Sequence, residues 1–155
     1  MRHNRMLHSL CTLSFAGTLL GMAVGFATPA FANTTVKVTL MDPSTDSSVS
    51  GMKIVATPNT VKAGVVTFQD TNASKALVHE MILIREPADG KDMPYDAKKQ
   101  RVIEAKIKSL GEVSELDPGK SGKLTVTLKP GNYLLLCNQA SHYMAGMSTP
   151  FTVTP

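Results

Sequence analysis

Over residues 34–40 apolar and polar side chains alternate, which puts Val36, Val38 and Leu40 on one face of a half-buried strand. A loop rich in Pro, Ser, Asp and Gly follows at 41–51, and residues 52–58 read as a short strand ended by Pro58. A turn at Ala63-Gly64 leads into a strand carrying Val65, Val66 and Phe68. From 75 to 86 the run is long and apolar, with the leucine and β-branched content of a central strand. Residues 122–128, 132–137 and 149–155 complete the set. Some seven or eight short strands punctuated by Gly, Pro and Asn predict an all-β, Greek-key β-sandwich.

One stretch departs from this period. Val102, Ile103, Ile107 and Leu110 recur at helical spacing, with Gly111 as a stop signal. The spacing predicts one inserted helix at about 96–110, packed on one side of the sandwich. Its outer face would carry Lys98, Lys99, Arg101, Lys106 and Lys108, either as a solvated surface or as a docking patch for an acidic partner.

The N-terminus has a different composition. Arg2 and Arg5 precede an apolar run from Leu7 to Ala27 that lacks Asp, Glu, Lys and Arg, and Ala30-Phe31-Ala32 is an Ala-x-Ala cleavage pattern. This predicts a signal peptide over 1–32, cleaved after Ala32, and a periplasmic or secreted protein. The run is also nearly long enough for an uncleaved membrane anchor. The remaining 33–155 form a single domain, long enough to bury a core without disulfides. Losing the two leader arginines takes the formal charge from +4 to 16 − 2 − 12 = +2. A domain this near neutrality is not expected to bind nucleic acid.

The leader also takes Cys11, His3 and His8, so the mature chain keeps Cys137, His79 and His142. A single cysteine in an oxidising compartment makes no internal disulfide; it is either buried and inert or protected by a metal. Cys137, His142 and Met147 are spaced Cys-x4-His-x4-Met between two predicted strands. A thiolate, an imidazole and a weak thioether describe part of a trigonal blue-copper site, and His79 supplies a second imidazole. Met147 is the better axial candidate than Met144, because Gly146 beside it suits the close turn that brings a thioether inward. Met144 then belongs to the surface or rim. Met81, two residues from His79, shares its face and is expected in the core. Glu80 is expected to point the other way, solvated or paired with a lysine. Asn138 orients the loop from outside the ligand set or caps a turn.

The runs "LKPGNYLLLCNQASHYMAGMSTPFTV" and "VKAGVVTFQDTNASKALVHEMILI" together resemble a cupredoxin, a small type 1 blue copper protein, with a spacing like that of rusticyanin-like and plastocyanin-like bacterial members. The resemblance covers roughly 52–155. It implies one copper ion cycling between Cu(I) and Cu(II), with His79, Cys137 and His142 as equatorial ligands and Met147 as the axial one. It further implies single-electron transfer between redox partner proteins such as a cytochrome or oxidase. No small-molecule substrate and no enzyme activity are expected, and the protein is expected to be a monomer. The alternative on the same fold is a periplasmic copper-binding protein for copper buffering or delivery. Two positions depart from the family pattern. Glu80 stands where many members have an Asn that ties the ligand loops together. Ala140-Ser141 stands where many have Pro-Gly.

Overall fold

The computed structural model describes residues 32–45, 48, 50–87 and 93–155. The predicted leader falls outside them, apart from the backbone of Ala32. Two mixed sheets pack face to face. In the first, β2 (Lys53–Thr57), β1 (Ala32–Met41), β4 (Gly64–Asn72) and β9 (Ser121–Leu128) lie in that order. In the second, the order is β3 (Thr60–Lys62), β11 (Ser148–Thr154), β10 (Gly131–Leu136), β5 (His79–Arg85) and β8 (Ser109–Leu116). The β1–β4 and β11–β3 pairs are parallel and the others antiparallel. The predicted β-sandwich is therefore present, with β3 and β8 as additional strands.

The period-2 pattern builds the core directly. Val36, Val38 and Leu40 of β1 and Val66 and Phe68 of β4 meet Met81 and Leu83 of β5, Leu135 of β10, and Phe151 and Val153 of β11. Phe68 and Phe151 cross the two layers edge to face, with centroids 5.1 Å apart. Alternation does not hold in β5, where six of seven residues are buried. The reason is a second apolar layer on the outer face of the five-stranded sheet. There Ile82, Ile84 and Leu136 are covered by Val102, Ile107, Met93 and Tyr95.

That covering segment is the one expected to be helical, and it is not. It consists of β6 (Tyr95–Asp96), β7 (Arg101–Val102) and a single 3-10 turn at Glu104–Lys106, and it then runs into β8. The segment does pack on one side of the sandwich, but the predicted helix at 96–110 is wrong. Three forces override the helical spacing. Val102, Ile103 and Ile107 are β-branched and favour extended backbone. The Asp96 carboxylate accepts the N–H groups of Lys98 and Lys99 and caps one turn, which Gln100 ends at once in the left-handed region at φ +54°. The Asn138 side chain accepts the Val102 N–H at 2.6 Å and donates to the Val102 carbonyl at 3.0 Å, replacing a neighbouring strand. Gly111, read as a helix stop, lies inside β8 at φ +146°, beside the irregular pairing at Leu83 and Ile84. Lys98, Lys99, Lys106 and Lys108 are exposed along this segment.

Candidate metal centre

The segment from Cys137 to Met147 is the connection between β10 and β11. The ladder ends at Leu136 opposite Ser148, and the Cys137 N–H donates to the Met147 carbonyl at 3.0 Å. Within the loop, the N–H of His142 donates to Gln139, that of Ala145 to Ser141, that of Gly146 to Tyr143 and that of Met147 to His142, all at 2.9–3.0 Å. Ser141 at φ +71° and Gly146 at φ +91° make the left-handed turns that close it. The loop is thus held largely by its own backbone, and the sequence spacing becomes a spatial cluster.

His79 comes from the neighbouring strand, as the first residue of β5 rather than in its middle. Its Nδ1 lies 3.2 Å from Nδ1 of His142, which lies 3.4 Å from the Cys137 sulfur. The three donor atoms fall within 4.8 Å of one another. Donors bound at about 2.0–2.3 Å around one ion at trigonal angles stand roughly 3.5–3.8 Å apart. The two shorter separations lie a few tenths of an ångström from these values, and the widest, at up to 4.8 Å, would close by about 1 Å around a single ion. All three are buried, His79 and Cys137 fully and His142 to 8% exposure. Met147 is fully buried in the same core cluster as Cys137, whereas Met144 is 66% exposed. Met81 packs in the core as expected.

Glu80 overturns its expectation. It is 95% buried rather than solvated, and no lysine pairs with it among the described residues. Its carboxylate accepts the Asn138 N–H at 3.1 Å and the Gln139 side-chain amide at 3.3 Å, while its own N–H donates to the Cys137 sulfur at 3.5 Å. Glu80 therefore ties the two ligand-bearing segments together. The period-2 argument failed because β5 is covered on both faces. Asn138 sits outside the His79–Cys137–His142 cluster and bridges Val102 and Glu104.

Asp42 was not anticipated at all. Its Oδ2 lies 2.8 Å from Nε2 of His79, and both side chains are buried. A signal was present: Asp42 continues the inward i, i+2 series of Val36, Val38 and Leu40. A Pro/Ser/Asp/Gly loop masked it.

Burial governs the charges. It pushes the Cys137 thiol up to about 11, so the thiol is protonated at neutral pH and a bound cation must displace that proton. Burial, followed by the adjacent His79, lowers the His142 pKa and keeps that ring neutral with a lone pair to offer. Burial, then the charges of Glu115 and Glu104, raises Glu80 to about 7. Asp42 goes the other way. Burial opposes its ionisation, but hydrogen bonds from Ser44, Ser74 and His79 outweigh burial and hold it well below the usual carboxylate range.

No family model matches the chain. Auracyanin-B of Chloroflexus aurantiacus is 44% identical over 48 residues, a match that spans 30% of this chain and 20% of that protein. Among solved structures, auracyanin A of Chloroflexus aurantiacus, described as a "blue" copper protein, superposes with a TM-score of 0.58 at 19% identity, over 79% of this chain and 100% of that one. Rusticyanin of Thiobacillus ferrooxidans gives 0.58 at 16% identity, over 79% and 77%. Reduced auracyanin of Roseiflexus castenholzii gives 0.54 at 19% identity, over 81% and 100%. These neighbours are cupredoxins, and the chain has the cupredoxin fold.

Proposed function

We propose that this chain is an exported electron carrier with one type 1 copper, bound by His79, Cys137 and His142 with Met147 as axial ligand. The observation that carries the reading is the convergence of two imidazole nitrogens and one thiol in a buried cluster. Two nitrogens and a soft sulfur, with a second sulfur on a buried methionine, suit copper better than zinc, which favours a closed tetrahedral set. Bound there, copper would supply a one-electron couple. The protein's part is to keep ligand positions alike in both oxidation states and to exclude water. The self-bonded loop and the Glu80 tie serve the first task, and the apolar core beneath serves the second. His142, the least buried of the three donors, offers the path by which an electron would pass to a redox partner such as a cytochrome or oxidase. A leader cleaved after Ala32, a 33–155 domain and a periplasmic or secreted location belong to the same proposal.

Copper delivery is the second reading, favoured by the exposed Met144 within the loop. Mixing the Cu(I) protein with an oxidised cytochrome, and separately with a metal-free copper acceptor, separates the two. Fast electron transfer with retained copper is expected. Fast metal loss with slow electron transfer would replace the carrier by the courier.

The axial assignment has its own test. A weak thioether favours Cu(I), so a harder oxygen donor in its place should lower the midpoint potential. Met147→Gln is expected to lower it by ~59 mV or more, a tenfold shift in oxidation-state preference. Met144→Gln should leave it nearly unchanged. Voltammetry giving the reverse order would exchange the two methionines.

A further inference from the structure

We infer that Asp42 is a positioning residue for His79: its carboxylate holds the imidazole as the Nε2–H tautomer, aims the Nδ1 lone pair at Cys137 and His142, and biases the site toward the higher oxidation state. The inference rests on the reading of His79 as a metal ligand.

The geometry leaves little choice of tautomer. An ionised carboxylate only accepts hydrogen bonds, so at 2.8 Å the proton between the two groups belongs to His79 Nε2. Nδ1 then carries no proton in the neutral ring. It faces Nδ1 of His142 at 3.2 Å, inside the donor cluster. A carboxylate behind a ligating histidine also raises the basicity of the ring, and removing such a partner typically costs 10–100-fold in metal affinity.

The carboxylate is itself fixed in place. The Ser44 N–H donates to Asp42 Oδ1 at 2.7 Å, and the Asp42 N–H donates to the Thr45 hydroxyl at 3.2 Å. The hydroxyls of Ser44 and Ser74 are 3.0 Å apart. Ser74 belongs to the loop that leads into His79; its N–H donates to Asn72, and its hydroxyl accepts the N–H groups of Ala76 and Leu77. Asn72 in turn donates to the carbonyls of Leu77 and Leu116. Both ends of the Asp42–His79 bond are therefore anchored to one part-buried polar scaffold that spans the two sheets. The bond would not slacken when a metal ion changes charge. Its negative charge stabilises the more positive ion more strongly, by simple Coulomb attraction.

A carboxylate that merely stapled the sheets would alter stability and leave tautomer and potential alone. The test has two arms. In the metal-free wild-type protein, long-range ¹H–¹⁵N spectra should show His79 as the Nε2–H tautomer with a slowly exchanging ring proton. An Nδ1–H tautomer there overturns the inference without any variant. In the copper-loaded protein, Asp42→Asn should raise the midpoint potential by about 59 mV, a tenfold shift toward Cu(I). Asp42→Ala should weaken copper binding 10–100-fold. A folded Asp42→Asn protein with unchanged potential overturns the inference. If the wild-type protein takes up copper without an intense visible band, the functional reading fails, and the tautomer arm still decides this one.

Discussion

Cys137→Ser is expected to abolish the intense visible absorption of the copper(II) protein and to weaken copper binding by well over ~100-fold, since loss of an outer partner alone costs 10–100-fold. The colour requires a thiolate on the metal, and Cys137 is the only cysteine among the described residues. A serine hydroxyl keeps the shape, but it is a hard donor that gives up its proton far less readily. The wild-type thiol, raised to about 11 by burial, should release a proton on copper uptake at neutral pH, and the variant should lose that release. Absorption spectra, competition with a copper chelator and proton release in weak buffer measure the three effects. A serine variant that stays blue would remove Cys137 from the site. Far-ultraviolet circular dichroism checks that the sheets remain.

The second large effect lies away from the site. Asp70, in β4, is 1% exposed, and neither carboxylate oxygen has a hydrogen-bond partner among the described residues. It faces inward in series with Val66 and Phe68, and its strand partners, Val38 and Gly122, offer no donor side chain. Burial raises its pKa from 3.8 to about 7. The folded state therefore holds a proton that the unfolded chain has already released between pH 4 and 7. Stability from this group is greatest below pH 4, falls by about 1.4 kcal/mol per pH unit through that window, and levels off above pH 7. The total is on the order of 4 kcal/mol. Asp70→Asn removes the titration, so the stability difference between variant and wild type should grow in the variant's favour by that amount from pH 4 to pH 8. Glu80 and His142 titrate in both proteins and cancel in the difference. Urea unfolding of the metal-free proteins across this range measures it, and a difference that does not change with pH would mean that Asp70 ionises normally in the fold.

Asp70 and Asp42 are both inward-facing acids on period-2 strands, and they end in opposite states. Asp42 meets serine donors and a histidine, and it stays ionised. Asp70 meets Val38 and a glycine. Alternation in the sequence places both side chains inside, but it says nothing about what waits there, because the partners come from other strands and loops. Glu80 makes the same point from the opposite direction. Alternation sends it outward from His79, and only the layer laid over β5 by the 93–110 segment turns that outward face into an interior.

What the sequence determined by itself is what depends on near neighbours. Strand alternation set the core faces of β1 and β4. The lysine-proline-glycine turn and the apolar run after it produced β10. The Cys-x4-His-x4-Met loop closes through backbone bonds among its own residues, so three of the four proposed ligands were legible from spacing. The tertiary structure alone decided the rest. Val102, Ile103, Ile107 and Leu110 satisfy a helical period, yet an extended path buries Val102 and packs Ile107 against the outer sheet face. The choice fell to Asn138, which bonds the Val102 backbone from 36 residues away. Likewise Asp42 reaches His79 across 37 residues, and Glu80 reaches Asn138 across 58. Hydrogen bonds over such separations form only once the two sheets have packed, because only burial brings these groups together and makes leaving them unpaired costly.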